Sequence, residues 1–340
     1  MLGLAVCSAA GALAGKAYRQ ANLVSDVDSE AKFTDPNLIN PWGILVDGDQ
    51  VVTALAGTGM IAIYGPHRFD DPQYINVPPT GGASPTGLVQ NTTNDFVISG
   101  SGGSAPARYL VATEEGTLAG WNETVDSVNA IQVADRSSAN AIYKGLALGN
   151  NVAGSFLFAT DFHNNRVDVF DRTFALVNSF TDTSLPQGYA PFGIQNISGD
   201  LYVTFALQDA DAEDEVAGEG LGFVDVFDTN GDLIRHLAMQ GTLNAPWGLA
   251  LAPDDFGGFR GAVLVGNFGD GRINGFDQLD GTFLGRLKSK RKHLIGIEGL
   301  WGIAFAPEPP EGDPPDTLFF AAGIDDEAHG LLGRLRPRGP

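Results

Sequence analysis

Short apolar runs punctuated by Gly, Asn and Asp fill the chain, and no long segment carries the 3.6-residue period of an amphipathic helix. One element recurs, a Gly followed by Ile or Leu. It stands in "PWGILV" at Gly43, "PTGLVQ" at Gly87, "YKGLAL" at Gly145, "PFGIQN" at Gly193, "PWGLAL" at Gly248 and "LWGIAF" at Gly302. Subtracting those numbers gives spacings of 44, 58, 48, 55 and 54 residues. Each copy is followed by a second run ("VVTALA", "YLVATE", "FLFATD", "LYVTFA", "AVLVGN", "LFFAAG") and a third, as in "RVDVFD" and "FVDVFD". A weaker fourth run, such as "LVNSF" or "LIRHL", follows most of them. Runs of this length, rich in β-branched and aromatic residues, predict strands.

A period of this size marks a repeat architecture. Six units of four strands predict an all-β, six-bladed β-propeller, in which radial repetition leaves few exposed sheet edges. The sixth unit runs out after its third strand, at "LLGRLRPRGP", whereas "YRQANLVSD" (Tyr18 to Asp26) precedes unit one without a partner. The N-terminal strand is therefore expected to complete the last blade, because an unclosed ring would present an edge to other chains.

In a propeller the first strand of each blade lines the central channel, so residues just before strand one and just after strand two share a face. Before strand one stand Trp42, Thr86, Lys144, Phe192, Trp247 and Trp301. After strand two come "GTG", "EEG" with Glu114, "DFHNN", "QDADAEDE" from Gln208, "NFGDG" and "GIDDEAHG". Polar and ionisable residues thus gather on one rim around an aromatic mouth, the kind of concavity that small ligands use. Trp42, Glu114, Phe192, Gln208, Trp247 and Trp301 are the candidate ligand-binding residues. Packing between blades explains the three tryptophans at least as well as ligand stacking does.

Within "DFHNNR", Asp161 and Arg166 have counterparts in Asn267 and Arg272, which favours an architectural role in turns. His163 has none, its equivalent being Gly269, so it is singled out as a functional candidate with Lys144 and Asp325 as possible catalytic partners. The segment "QDADAEDEVAGEG" is not an EF-hand loop, since Asp214 stands where Gly is needed and Gly220 where Glu is needed. It is read as a solvated acidic loop, an irregular Ca²⁺ ligand or a lid over the channel. "GIDDEAHG" supplies Asp325, Asp326, Glu327 and His329. Asp161, His163, Asp209, Asn267, Asp325 and His329 offer oxygen and imidazole ligands for Ca²⁺ or another divalent cation, which would polarise a carbonyl or activate water.

Charge narrows the partners. A net charge of −21 argues against a nucleic-acid backbone as partner and favours cations or basic partners. The basic run "RLKSKRKHL" is local and reads as a connecting loop. Residues 1–16, an apolar run ending near Ala12-Leu13-Ala14, read as a signal peptide too short to span a membrane, with residues 17–340 as one domain. Cys7, the only cysteine, lies in that segment, and three sequons at Asn91, Asn122 and Asn196 are compatible with secretion. No G-x-S-x-G elbow, H-E-x-x-H helix or complete phosphate loop occurs.

The runs "FATDFHNNRVDVFD", "GYAPFGIQNI", "GFVDVFDTNGD", "AVLVGNFGDGRINGFD", "LWGIAFAP" and "AGIDDEAHGL" resemble an uncharacterised, mostly bacterial family of secreted propellers. Some members of that family end in a PEP-CTERM sorting tag, which this chain lacks. More distantly the units resemble NHL-repeat and SMP-30/gluconolactonase propellers. The lactonase side of that resemblance implies a channel-mouth metal acting on an ester or lactone. "EGLWG" at Glu298 approximates the class's metal-binding glutamate context without its proline. The NHL side implies a binding scaffold. The expectation is a secreted, monomeric binding propeller for a small molecule or extracellular partner, with a metal-dependent hydrolase as the alternative.

Overall fold

The computed structural model describes residues 17–65, 68–79, 81–306 and 314–338; the expected signal peptide lies outside them. The chain forms a six-bladed β-propeller whose inner strands are Pro41–Asp47, Pro85–Gln90, Tyr143–Asn151, Tyr189–Ile197, Pro246–Leu251 and Leu300–Phe305. Each blade meanders outward through antiparallel neighbours. Blade three, for example, runs Tyr143–Asn151, Gly154–Asp161, Arg166–Asp171, Leu176–Phe180. Among the described residues the helical elements are two single 3₁₀ turns, Ser137–Ala139 and Gly257–Phe259.

The recurrent glycine has a steric cause. A Cβ on Gly43 would meet Thr86 O at 2.5 Å, one on Gly248 would meet Trp301 O at 2.5 Å, and one on Gly302 would meet Trp42 O at 2.5 Å. On Gly145 it would meet Phe192 O at 2.9 Å; Gly193 abuts Trp247 O, and Gly87 the Gly145–Leu146 backbone. Each inner strand therefore touches the main chain of the next around the ring, an approach only glycine permits.

Closure follows the expected route. Tyr18–Ser25 pairs antiparallel with His329–Pro337, from Tyr18↔Pro337 to Ser25↔Leu331, with an irregularity between Asn22 and Val24. Tyr18 also donates its hydroxyl to Phe256 O at 2.9 Å, tying the strand to blade five. Between successive blades lie six apolar clusters; Phe158 and Val169 of blade three, for instance, pack with Val203 and Phe205 of blade four. Both faces of every sheet are thereby buried.

Three elements go beyond the four-strand repeat. The hairpin Val97–Gly100/Gly103–Pro106 is inserted in blade two and accounts for the longest spacing between glycines. Phe33–Thr34 adds a parallel fifth strand to blade six, and Glu215–Val216 pairs with the end of Asp200–Gln208 in blade four.

Candidate functional site

The aromatic residues that precede the repeat glycines converge at one end of the channel and close it. Trp42 and Trp301 stack with centroids 3.5 Å apart, and Trp247 meets both edge-on at 5.9 and 5.8 Å. Phe192 and Phe268 pack against Trp301 at 5.8 and 4.2 Å. Trp42, Phe192, Trp247 and Trp301 are all buried, so they form a plug, not the open wall of a cleft. Trp247 Nε1 donates to Lys144 O (3.2 Å) and Trp301 Nε1 to Asn40 Oδ1 (3.1 Å), while the buried Trp42 Nε1 has no hydrogen-bond partner among the described residues.

Set into this plug is Lys144, whose side chain is 1% exposed. Its ammonium is ion-paired with Glu114 and with Asp214 at 3.1 Å, and it lies 5.2 Å from the centre of the Trp42 ring and 5.9 Å from that of Phe162. Burial pushes the ammonium down, but Glu114, Glu215 and Asp214 outweigh it and hold it above its ordinary range. Glu215 is half-buried as a residue, yet its carboxyl is set deep enough that desolvation pushes it up to about 8 despite Lys144. Glu327 is also raised, by burial first, against a 2.5 Å hydrogen bond donated by Asn40 Nδ2. Carboxylates from blades two, four and six thus surround a single buried ammonium.

Local backbone explains how they arrive. The acidic segment folds back over the plug: Gln208 Nε2 donates to Phe162 O (2.6 Å), and His163 Nδ1 lies 3.2 Å from Ala212 O. Asp209 Oδ1 accepts from the backbone N–H of Glu213 at 3.0 Å and of Asp214 at 3.4 Å, shaping the turn that aims Asp214 at Lys144. Those N–H groups hold the Asp209 carboxyl below its ordinary range. On blade six, Asp325, Asp326 and Glu327 are consecutively left-handed, at φ 56°, 50° and 66°. Non-glycine residues adopt that region at a cost of about 1–3 kcal/mol each, and here it carries Glu327 to Asn40.

The other candidates occupy separate local networks. Buried Asp161 accepts from Asn164 Nδ2 at 2.8 Å and pairs with Arg166 at 3.0 Å; burial raises its carboxyl. Asn267 donates to Thr242 O (2.9 Å) and Asp270 Oδ1 (3.0 Å). His329 Nδ1 lies 2.6 Å from Asp26 Oδ2, which raises its pKa, and His329 Nε2 is 4.0 Å from the exposed Asp325. Glu298 accepts from the Asp325 N–H at 3.1 Å. The side-chain amides of Asn91, Asn122 and Asn196 all donate to backbone carbonyls, that of Asn196 to Leu148 O on the inner strand of the neighbouring blade. Glu215, whose charge acts on Lys144, and Asn40, which donates to Glu327, are not among the residues the sequence singles out; only the acidity of the neighbouring segment points to Glu215.

At the opposite end the channel is open. A cavity of about 550 Å³ is lined by the ends of the inner strands, with Ile44, Leu88, Leu249 and Phe305 alongside Gln90, Gln195 and Asn196. A narrow space of about 40 Å³, walled by the repeat glycines and Trp247, continues toward the plug. No helix among the described residues is long and apolar enough to cross a membrane.

No family model matches the chain. Among solved structures it is similar to a streptogramin B lyase (TM-score 0.55, 14% identity, covering 96% of this chain and 99% of that one). It is also similar to virginiamycin B lyase from Staphylococcus aureus (TM-score 0.53, 13% identity, 94% and 99%). At those identities the likeness shows the fold alone. By sequence it is 32% identical over 325 residues to an uncharacterised protein of Acanthamoeba polyphaga mimivirus, covering 92% of this chain and 78% of that protein. A second uncharacterised protein of the same virus is 31% identical over 324 residues, 92% and 84% of the two chains. This chain belongs to the family of those viral proteins.

Proposed function

We propose that the protein is a secreted binding protein whose acidic rim captures a cationic group, an amine or guanidinium presented by a small molecule or an extracellular partner. The observation that carries this reading is the imbalance at Lys144: one buried ammonium is ion-paired with Glu114 and Asp214, and its charge also acts on the desolvated carboxyls of Glu215 and Glu327. Desolvated carboxylates short of a counter-charge gain from a second cation, and Glu215, pushed up to about 8, is the group with most to gain. The net charge of −21 steers cations toward the surface. Left-handed backbone at three consecutive acidic residues fits a rim held in place for binding.

Binding without catalysis is the better-supported reading. Lys144 is held protonated by its carboxylates, which suits neither a nucleophile nor a general base. A lactonase-type metal would need Asp161, His163, Asp209, Asn267, Asp325 and His329 to converge. Asp161, His163, Asp209, Asn267 and His329 are instead engaged by their own neighbours, Asp325 is exposed, and the six do not bring three His, Asp or Glu ligand atoms within 4.8 Å of one another. The test is calorimetric titration with agmatine, which carries both a guanidinium and an ammonium. Wild-type protein is expected to bind it at one site, and Glu327→Gln at least about tenfold more weakly. Equal binding by both proteins, or none by the wild type, sinks the reading.

A further inference from the structure

Away from the channel, toward the outer edge of blade four, a second acidic cluster has no lysine or arginine in it. Asp225 sits mid-strand in Phe223–Phe227, directly opposite His236 on the outermost strand, Leu233–Met239. Asp182 comes from the connection leaving blade three. Its Oδ1 accepts from the Ser184 N–H at 2.8 Å, leaving Oδ2 facing His236 Nδ1 at 3.5 Å. Asp225 Oδ1 lies 2.8 Å from the same nitrogen. The side chains of Asp182 and Asp225 are 4% and 0% exposed, and Oδ2 of each is buried without a hydrogen-bond partner among the described residues.

The repeat makes this arrangement anomalous. In blade three the equivalent Asp168 is fully engaged, by Arg166 Nε at 2.8 Å, Tyr143 hydroxyl at 2.9 Å and Ser179 hydroxyl at 2.7 Å. In blade five the position is Asn274, which accepts from Arg286 Nε at 3.2 Å. Blade four keeps the carboxylate, adds a second, and replaces the guanidinium with an imidazole. Orphaned buried carboxylate oxygens are costly unless paired or bound to a metal.

We propose that Asp182, Asp225 and His236 form a divalent-cation site, with one carboxylate oxygen from each aspartate and the imidazole Nδ1 as ligands. These three atoms lie within 4.8 Å of one another, with Nδ1 at 2.8 Å from Asp225 Oδ1 and 3.5 Å from Asp182 Oδ2. A mixed imidazole and carboxylate set suits Zn²⁺ or Mn²⁺, whereas Ca²⁺ takes six to eight oxygens. His236, with a side chain 34% exposed, leaves a route in from solvent. The ion would staple the outer strand of blade four to the connection from blade three.

The test uses the full chain, stripped with chelator and titrated separately with Zn²⁺ and Mn²⁺, alongside Asp225→Asn and His236→Gln. Asparagine occupies the equivalent place in blade five, so Asp225→Asn is expected to fold, and circular dichroism checks this. The proposal expects one equivalent of metal per chain, a melting temperature raised by about 2–5 °C, and affinity reduced at least about tenfold in both variants. Binding that survives in both variants would place the metal elsewhere and overturn the proposal. So would an absence of binding of either metal by the wild type; a higher melting temperature in Asp225→Asn would then mark the two aspartates as a proton-sharing pair.

Discussion

The two ends of the channel are made by the same six strands and differ in almost everything else. One end is sealed by stacked tryptophans around a buried lysine and ringed by carboxylates. The other opens into a cavity of about 550 Å³ with a wall of aliphatic side chains and a few amides. Repeat residues build the open end, since Ile44, Leu88, Leu249 and Ile303 follow the repeat glycine in their respective blades. The sealed end is where the repeat is broken. Lys144 is the one charged residue among the six that precede the glycines, and the loops around it differ in length and acidity. Specific chemistry thus resides where the units diverge, while the shared positions hold the ring together.

The comparison is broken most severely at Lys144. Lys144→Met leaves its carboxylates without a counter-ion, and urea denaturation is expected to show a loss of about 3–5 kcal/mol. A loss below about 1 kcal/mol would mean that solvent, not the lysine, satisfies those groups. Next comes the scaffold that both ends share. Gly193→Ala drives a Cβ into Trp247 O and should destabilise by about 1–3 kcal/mol, measured the same way.

Glu215 sharpens the contrast through pH. Its folded pKa of about 8 lies above the ordinary glutamate value, so the folded state favours the protonated form. Stability is therefore full below about pH 4.5 and declines as pH rises through 8. Glu215→Gln should remove that decline, worth roughly 2 kcal/mol after discounting for solvent contact, in melting curves from pH 5 to 8. The smallest effect belongs to the open end. Gln195 is exposed in the cavity wall, so Gln195→Ala should change stability by less than about 0.5 kcal/mol and leave agmatine binding intact.

The architecture was legible because its cause is local and repeated. A glycine that must touch the next strand recurs at each of the six positions, and an unpartnered first strand matches a last blade lacking its fourth. The inserted hairpin Val97–Gly100/Gly103–Pro106 escaped, since only comparison with the other blades reveals it as an addition. The site was legible by face and not by contact. Glu114 and Asp214 come from two blades, and nothing in their spacing says that they meet at one ammonium. His163, conspicuous for having no counterpart, stands against Ala212 O and positions the acidic segment. Asp225 and His236 looked like ordinary strand residues; their singularity lies in a missing arginine, and that shows only when blades three and four are superposed in register.

The most direct test of a cation-binding rim is the proton balance of binding. Agmatine titrated into the protein at pH 7 in two buffers of different ionisation enthalpy reports the protons released per ligand bound. A cation placed beside Glu215 pulls its pKa down from about 8, so the account predicts a release approaching one proton, absent in Glu215→Gln. Binding with no proton release, or with the same release in Glu215→Gln, would contradict it.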